Sequence, residues 1–323
     1  MANFYEDNED LQFYVNKAID WDSVVREAEY DYKAEDGFTS AEEAVEFYKD
    51  MLSMIGKLAG DEIAPLAGDI DQIKHKFENG EVIISEAVQK ASQKINEMQL
   101  AGLSLPREVG GMGAPFLLYF MTGEMLSRAD GSTMSHYGFH IGIALALLYY
   151  SVIEDSTEFQ MDPPKMLKTR WEKEIQEIIS GETWGSMDIT EPDAGSDMAA
   201  LKAYAEQDKD GNWFVTGEKI FITSGHGKYH VCIAKTDKSD AQDAFDGLKK
   251  LSLFMVPAWE EDENGNKKRF IELGGLEKKL GINGSATVTC LYDKTPAQLI
   301  GNTGDGFKLM LLIMNNARIS VGF

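Results

Sequence analysis

Between residues 41 and about 180, apolar side chains return every three or four positions, as in Ala44, Val45, Phe47, Tyr48, Met51, Leu52, Ile55 and Leu58. That spacing predicts helices. Ser40 followed by Glu43 has the form of a capping box opening the first of them, and Asp130-Gly131-Ser132 and Asp162-Pro163-Pro164 punctuate later ones. From Thr183 to about Ile300 the pattern changes to short runs of β-branched and aromatic residues between turn residues, with strands expected at 184–189, 202–207, 213–222, 230–235, 251–257 and 286–292. Asp210-Gly211-Asn212 is a hairpin turn signal. Strands so spaced, without intervening helices, predict an antiparallel barrel or sandwich. The charged stretches 237–250 and 260–269 read as surface loops. After Gly301 to Gly306 a helical pattern resumes, with Phe307, Met310, Leu311, Ile313 and Met314 in one run to Phe323. That run carries no stop signal, so more helical chain is expected beyond it. The pattern is therefore α+β: an extension (1–40), an all-α domain (41–183), a β domain (184–302) and the first helix of a further bundle (303–323).

With 323 residues, 43% of them hydrophobic, the chain can bury more than one core. A formal net charge of -23 argues against a nucleic-acid binder, which needs a basic face, and against an anionic membrane surface. It does not exclude anionic ligands, since a few backbone N–H groups and one or two cations make a local positive site. Cys232 and Cys290 lie in strand patterns and are expected as buried free thiols. His226 and His230 flank Gly227-Lys228-Tyr229 without a third ligand in the pattern, so turn and strand positions are expected for them and no metal. The opening Met1-Ala2-Asn3-Phe4-Tyr5-Glu6-Asp7 lacks a secretory leader's basic and apolar parts, and apolar runs such as 141–150 fall short of the roughly 20 residues of a membrane span. A cytoplasmic protein with no membrane span is the expectation.

Two segments could carry chemistry. From Trp184 to Asp197 an apolar strand enters a turn of Pro192, Gly195 and small polar residues, where a ligand can approach the backbone and meet the Thr190 and Ser196 hydroxyls. The same composition also suits an ordinary strand-to-turn connection with an Asx turn at Asp193. From Gly217 to Gly225 a strand ends with Phe221 beside Thr223, a flat ring and a hydroxyl such as a flavin requires, although Phe221 could equally fill core and Thr223 close a turn.

The combination, in order, resembles the acyl-CoA dehydrogenase family. Ile189-Thr190-Glu191-Pro192-Asp193-Ala194-Gly195-Ser196-Asp197 resembles its first signature, and Trp213 to Gly225 the hairpin after it. Leu103-Ser104-Leu105-Pro106-Arg107-Glu108-Val109-Gly110-Gly111-Met112-Gly113 resembles the loop before the substrate-lining helix. Lys278-Lys279-Leu280-Gly281, Gly284-Ser285 and Leu299-Ile300-Gly301 are similar to the end of the family's β domain, and Asn315-Asn316-Ala317-Arg318 to its Arg-bearing first C-terminal helix.

The resemblance implies FAD as cofactor. Met187 and Ile189 would offer backbone contacts to the flavin, Thr190 a hydroxyl, and Ser196 a bond to the pyrophosphate near the thioester. Phe221 would lie on the isoalloxazine, Thr223 at N5, and Arg318 at the floor of the substrate pocket. It further implies an acyl-CoA substrate, dehydrogenation to a trans-2-enoyl-CoA, an electron-transfer flavoprotein as acceptor and a homo-oligomer, dimer or tetramer. The chain departs from the pattern at Ala317, where a minority of members place the catalytic glutamate; most place it in the later helical domain. The catalytic residue is therefore unassigned, the base is expected in C-terminal chain not present here, and these residues are expected to be inactive alone. Asn283 stands where many members have Arg, which puts a polar contact in doubt. Residues 1–40 resemble the extension of a longer bacterial subgroup, and their aromatic residues are expected to pack on the helical domain. A catalytically silent flavin- or CoA-binding protein and an oxygen-using acyl-CoA oxidase are the alternatives.

Overall fold

A computed structural model of the protein describes residues 2–239 and 242–322. Its first half is built from α1 (Glu9–Phe13), α2 (Trp21–Ala28), α3 (Ala41–Lys57), α4 (Ala67–Gln72), α5 (Glu86–Glu97), α6 (Phe116–Ala129), α7 (Gly131–Ile153) and α8 (Glu172–Ile179). Helix α3 starts where the pattern places it: Ser40 Oγ accepts from Glu43 N–H at 3.2 Å. The other half of the box is displaced by one residue, since Glu43 Oε2 accepts from the Thr39 backbone and hydroxyl rather than from Ser40. The apolar face of α3 buries Tyr48, Leu52 and Ile55 against α6, and the extension enters the same core through Tyr5, Leu11, Val15 and Val25. Trp21 and Phe38 pack on the Tyr48 ring at 5.8 and 5.7 Å.

Two small hairpins interrupt this helical half. β1 (Lys76–Glu78) and β2 (Glu81–Ile83) turn at Asn79-Gly80, both at positive φ as a two-residue turn of the type favoured by Asn-Gly requires. β3 (Glu158–Met161) and β4 (Pro164–Lys168) turn at Asp162-Pro163, so that signal joins strands rather than separating helices. Both hairpins are mostly solvated and carry no continuous apolar stripe, which is why helical periodicity on either side masked them. Helix α7 is 23 residues long and apolar enough, by length and composition, to cross a membrane. The apolar run is longer than the pattern suggested, because Gly138, Gly142 and His140 sit inside it; in the fold α7 is a core helix burying Tyr137, Ile141, Ala144, Leu147 and Tyr150.

The second half holds β5 (Gly185–Asp188), β6 (Tyr204–Gln207), β7 (Trp213–Thr223), β8 (Tyr229–Lys235), α9 (Ala244–Lys249), β9 (Leu251–Pro257), β10 (Trp259–Glu261), β11 (Lys267–Arg269), β12 (Ile271–Leu276), β13 (Thr287–Ile300) and finally α10 (Gly306–Val321). The Asp210-Gly211-Asn212 turn joins β6 to β7, with Gly211 at φ 87°. Pairing runs β13–β7–β6–β8, and β9 bonds both β8 and β13, so the ladders close on themselves as a barrel. Most ladders are antiparallel, as expected; β5 adds to β8 in parallel, Met187 opposite Val231. Both cysteines are buried free thiols.

Two expectations are corrected. The 260–269 stretch is a hairpin, β10 with β11, in which Glu260 faces Lys268 and Glu261 faces Lys267. Opposite charges paired across a solvated ladder stabilise it without the alternation that marks a half-buried strand. Within 237–250 the described residues include α9, capped by Asp243, whose carboxylate accepts from Asp246 N–H at 2.9 Å; residues 240 and 241 lie outside the described set. Phe323, at the end of the predicted last helix, also lies outside it. Helix α10 buries Leu309, Met310 and Ile313 in a core shared with α7, α8 and the barrel.

Candidate functional site: a motif cradle and an apolar cavity

Strand β5 delivers Met187 and the Ile189-Thr190 backbone to the point where the chain leaves the sheet. There the loop is tied to β7 in two places. Thr190 C=O accepts from Ile220 N–H at 2.8 Å, and Lys219 Nζ donates to Ile189 C=O at 2.9 Å. The two motifs, thirty residues apart, therefore meet edge to edge. Next to the junction, Ile220 and Phe221 of β7 together face the single Thr289 of β13, because the register slips there by one residue. Such a bulge re-aims a side chain. Phe221 takes φ 59°, unusual for a bulky residue, and its side chain is 60% exposed. Among the described residues the hydroxyls of Thr190, Ser196 and Thr223 make no side-chain hydrogen bond, and a Cβ added at Gly195 would meet open space.

Ile189, Thr190 and Phe221 thus stand at this junction, while Met187 lies within β5 opposite Val231 and Thr223 ends β7. Ser196 stands further along the same loop, exposed. Arg318 is not brought to this junction. It is exposed in the last turns of α10 and donates to Asn315 Oδ1 at 3.2 Å. The periodicity of α10 explains this: Ile313, Ala317 and Ser320 face α7, which turns Asn315, Arg318 and Ile319 outward.

That inward face closes a cavity of about 360 Å³ between α6, α7 and α10. Its α7 wall combines the small residues Gly131, Ser135, Gly138 and Gly142 with Met134, Phe139 and Ile143, and Ala317 lines the opposite side. Among the described residues no side-chain carboxylate lines it. A wider groove of about 860 Å³ lies beside α5, Trp184 and Trp259; neither it nor the smaller cavity is lined by Met187, Ile189, Thr190, Ser196, Phe221 or Thr223.

The residues that sequence reasoning missed lie beneath the cradle. Glu191 and Lys219 form a buried ion pair at 2.7 Å, and Glu191 also accepts from Lys202 and Ala203 N–H at 2.5 and 3.1 Å. Asp188 is fully buried with Ser186 at 2.6 Å, His230 at 2.9 Å and Tyr292 at 2.5 Å. Burial pushes its carboxyl up, but the His230 charge and the three hydrogen bonds outweigh that and hold it below the usual value. His230 does have companions: Asp188, His230 and Cys290 offer ligand atoms within 4.8 Å of one another, contrary to the reading that no third ligand is near. Both Asp188 oxygens already accept hydrogen bonds, and His230 Nε2 faces Gly227 C=O at 3.2 Å, so the group is satisfied as a hydrogen-bonded network. Asn283 gains a partner too, since its backbone and side-chain N–H groups both reach Asp71 Oδ1 at 3.0 Å.

Comparison with known proteins bears on what this junction is. The family model described as acyl-CoA dehydrogenase, N-terminal domain, matches residues 46–155, and that described as acyl-CoA dehydrogenase, middle domain, matches 186–294, the span of the cradle. The chain belongs to the acyl-CoA dehydrogenase family. Within it, the chain is 32% identical over 273 residues to 3-methylmercaptopropionyl-CoA dehydrogenase of Ruegeria pomeroyi, covering 84% of this chain and 44% of that enzyme. It is 28% identical to the short-chain specific acyl-CoA dehydrogenase of Clostridium acetobutylicum, covering 83% of this chain and 61% of the relative. The matched region thus spans about half of these acyl-CoA dehydrogenases. In fold, it is similar to Caenorhabditis elegans ACDH-11, solved in complex with C11-CoA, with a TM-score of 0.71, 19% identity, and coverage of 99% of this chain and 50% of that one. The family is one of oxidoreductases.

Proposed function

We propose that this chain carries the flavin- and acyl-binding part of an FAD-dependent acyl-CoA dehydrogenase. The observation that carries the reading is the Ile220–Thr190 contact, which brings the strand bearing the exposed Phe221 ring to the loop bearing the uncommitted Thr190 hydroxyl. These residues fit FAD. Met187 and Ile189 would present backbone groups to the ring system, Thr190 and Thr223 hydroxyls to its edge, Ser196 a hydroxyl to the pyrophosphate, and Phe221 a hydrophobic face. When bound, the cofactor supplies a two-electron acceptor that takes a hydride at N5 and is reoxidised by an electron-transfer flavoprotein.

The chain's own part is to bind and orient. The apolar cavity takes the acyl chain of an acyl-CoA, which fixes the α and β carbons relative to the cradle and keeps water from them. A carboxylate removes the α-proton as the β-hydride leaves; the carbon–carbon double bond of a trans-2-enoyl-CoA forms and the thioester is oxidised by two electrons. No lining residue of the cavity can be that base, and the reading assigns it to C-terminal chain outside these 323 residues. Ala317 in the lining is the observation that favours the second reading, a silent binding protein on the same scaffold.

The test uses the full-length protein loaded with FAD and titrated anaerobically with acyl-CoAs of increasing length. Bleaching of the flavin absorbance with formation of enoyl-CoA is the expected result. Stable flavin binding without bleaching by any acyl-CoA would replace it with the silent reading, and oxygen uptake during turnover in air would identify an oxidase.

A further inference from the structure

The loop joining Ile189 to Ala203 carries several of the residues assigned to the cofactor, yet Pro192, Asp193, Gly195, Ser196 and Asp197 are all exposed. Their own contacts, the exposed Asp193–Lys202 pair at 3.7 Å and the Asp197 carboxylate on Ala199 N–H at 3.0 Å, stay within the loop and do not fix it to the sheet. Its ends do. Glu191, 4% exposed, accepts from Lys202 N–H and Ala203 N–H at the far end of the loop, and Lys219, fully buried on β7, joins Glu191 Oε1 to Ile189 C=O at the near end. One carboxylate and one ammonium thus staple both ends of the loop to the strand that bears Phe221.

We propose that Lys219 and Glu191 are positioning residues for the cradle, holding the Ile189–Ala203 loop at the register in which its backbone and hydroxyls meet the cofactor; the functional half of this inference rests on the flavin reading above. A buried ion pair is often replaceable by an apolar couple of the same volume at little cost. Here that substitution would leave Ile189 C=O, Lys202 N–H and Ala203 N–H without partners, so the charges satisfy backbone groups that no hydrocarbon can. The neighbouring Asp188–His230 pair differs in kind: its partners Ser186 and Tyr292 are side chains of the sheet, and it ties strand to strand.

Hydrogen exchange of the full-length apoprotein separates positioning from general support. In Glu191→Gln and Lys219→Met, amides of 189–203 should exchange roughly tenfold faster or more, while 229–235 and 251–257 keep their protection. Lys219→Arg, which keeps the charge, should restore much of the protection. Unchanged exchange in the loop, or an equal rise in all three segments, would overturn the proposal. If Lys219→Met does not fold, Glu191→Asp decides: it keeps the charge but draws the carboxylate back by one methylene. Faster loop exchange at an unchanged melting temperature supports the staple, and unchanged loop exchange sinks it. A parallel FAD titration should show roughly tenfold weaker binding in Glu191→Gln. If the wild type binds no FAD, the flavin reading fails while the exchange data still judge the staple.

Discussion

Phe221 shows at the scale of one residue how the fold gives up stability at a site. Left-handed backbone costs an L-residue about 1–2 kcal/mol, and a ring that is 60% exposed recovers little of that by burial. Glycine removes the strain but costs about 0.5–1 kcal/mol in chain entropy. Phe221→Gly is therefore expected to leave thermal stability unchanged or raise it by up to about 1 kcal/mol, while weakening FAD binding at least roughly tenfold. Melting curves of the apoprotein read the first, flavin fluorescence the second; unaltered FAD affinity would remove the ring from the cradle. Phe221 and Thr223 were legible because a family motif marks them, but the strain at Phe221 was not, since the bulge depends on how β13 registers against β7. Glu191 and Lys219 were equally hidden. Both stand inside the motifs that carry the family resemblance, but only the crossing of β5 and β7 buries them together.

At the scale of elements, α7 is the wall of the cavity, and its glycines are unfavourable for the helix they stand in. Gly within a helix costs about 1 kcal/mol relative to Ala. At Gly142 an added Cβ meets nothing within 4 Å, so Gly142→Ala should raise the unfolding free energy by about 1 kcal/mol in denaturant titrations and spare ligand binding. Gly142→Phe should instead fill the cavity, and its signature is chain-length dependence: affinity for long acyl-CoAs falls far more than for short ones. Equal losses at every length would mean that the acyl chain lies elsewhere. The element scale is also where pattern reading succeeded best and failed most instructively. Strands buried on one or both faces, such as β8 and β9, were visible from composition; β10, β11 and the β1–β2 and β3–β4 hairpins were not, because solvated strands have no apolar period to detect. Barrel closure through β9 and the parallel seat of β5 depend on pairings between distant segments, which local spacing does not encode.

At the scale of the whole molecule, the helical and β halves meet across a seam of histidines. His75 and His136 both direct Nε2 to Gly284 C=O at 2.8 Å, and His136, His140 and His226 surround the Trp184 ring at 4.2, 4.7 and 4.7 Å. Desolvation lowers the pKa of each: His140 to about 4 and His226 to about 3, with His136 also well below its usual value and His75 lowered less far. Charge on neighbouring histidines adds to the effect at His136 and His226. In the unfolded chain these rings take up protons near pH 6.5, whereas in the fold His140 and His226 stay neutral down to about pH 4 and 3. The unfolded state therefore binds more protons between pH 6.5 and about 4, and stability must fall as pH drops through that window. His140 alone accounts for a loss on the order of 3 kcal/mol. Thermal unfolding followed from pH 7.5 down to 4.5 should show this decline, and His140→Phe should flatten it. A melting temperature independent of pH across that range would show that the seam is solvated and the two halves are less tightly joined than the packing around Trp184 implies. Because His136 lies on α7 and Gly284 just precedes β13, local opening of this seam, which proton uptake by the newly exposed rings favours as pH falls, should loosen the α7 wall of the cavity as well, so acyl-CoA affinity is expected to weaken in the same pH window before the barrel itself unfolds.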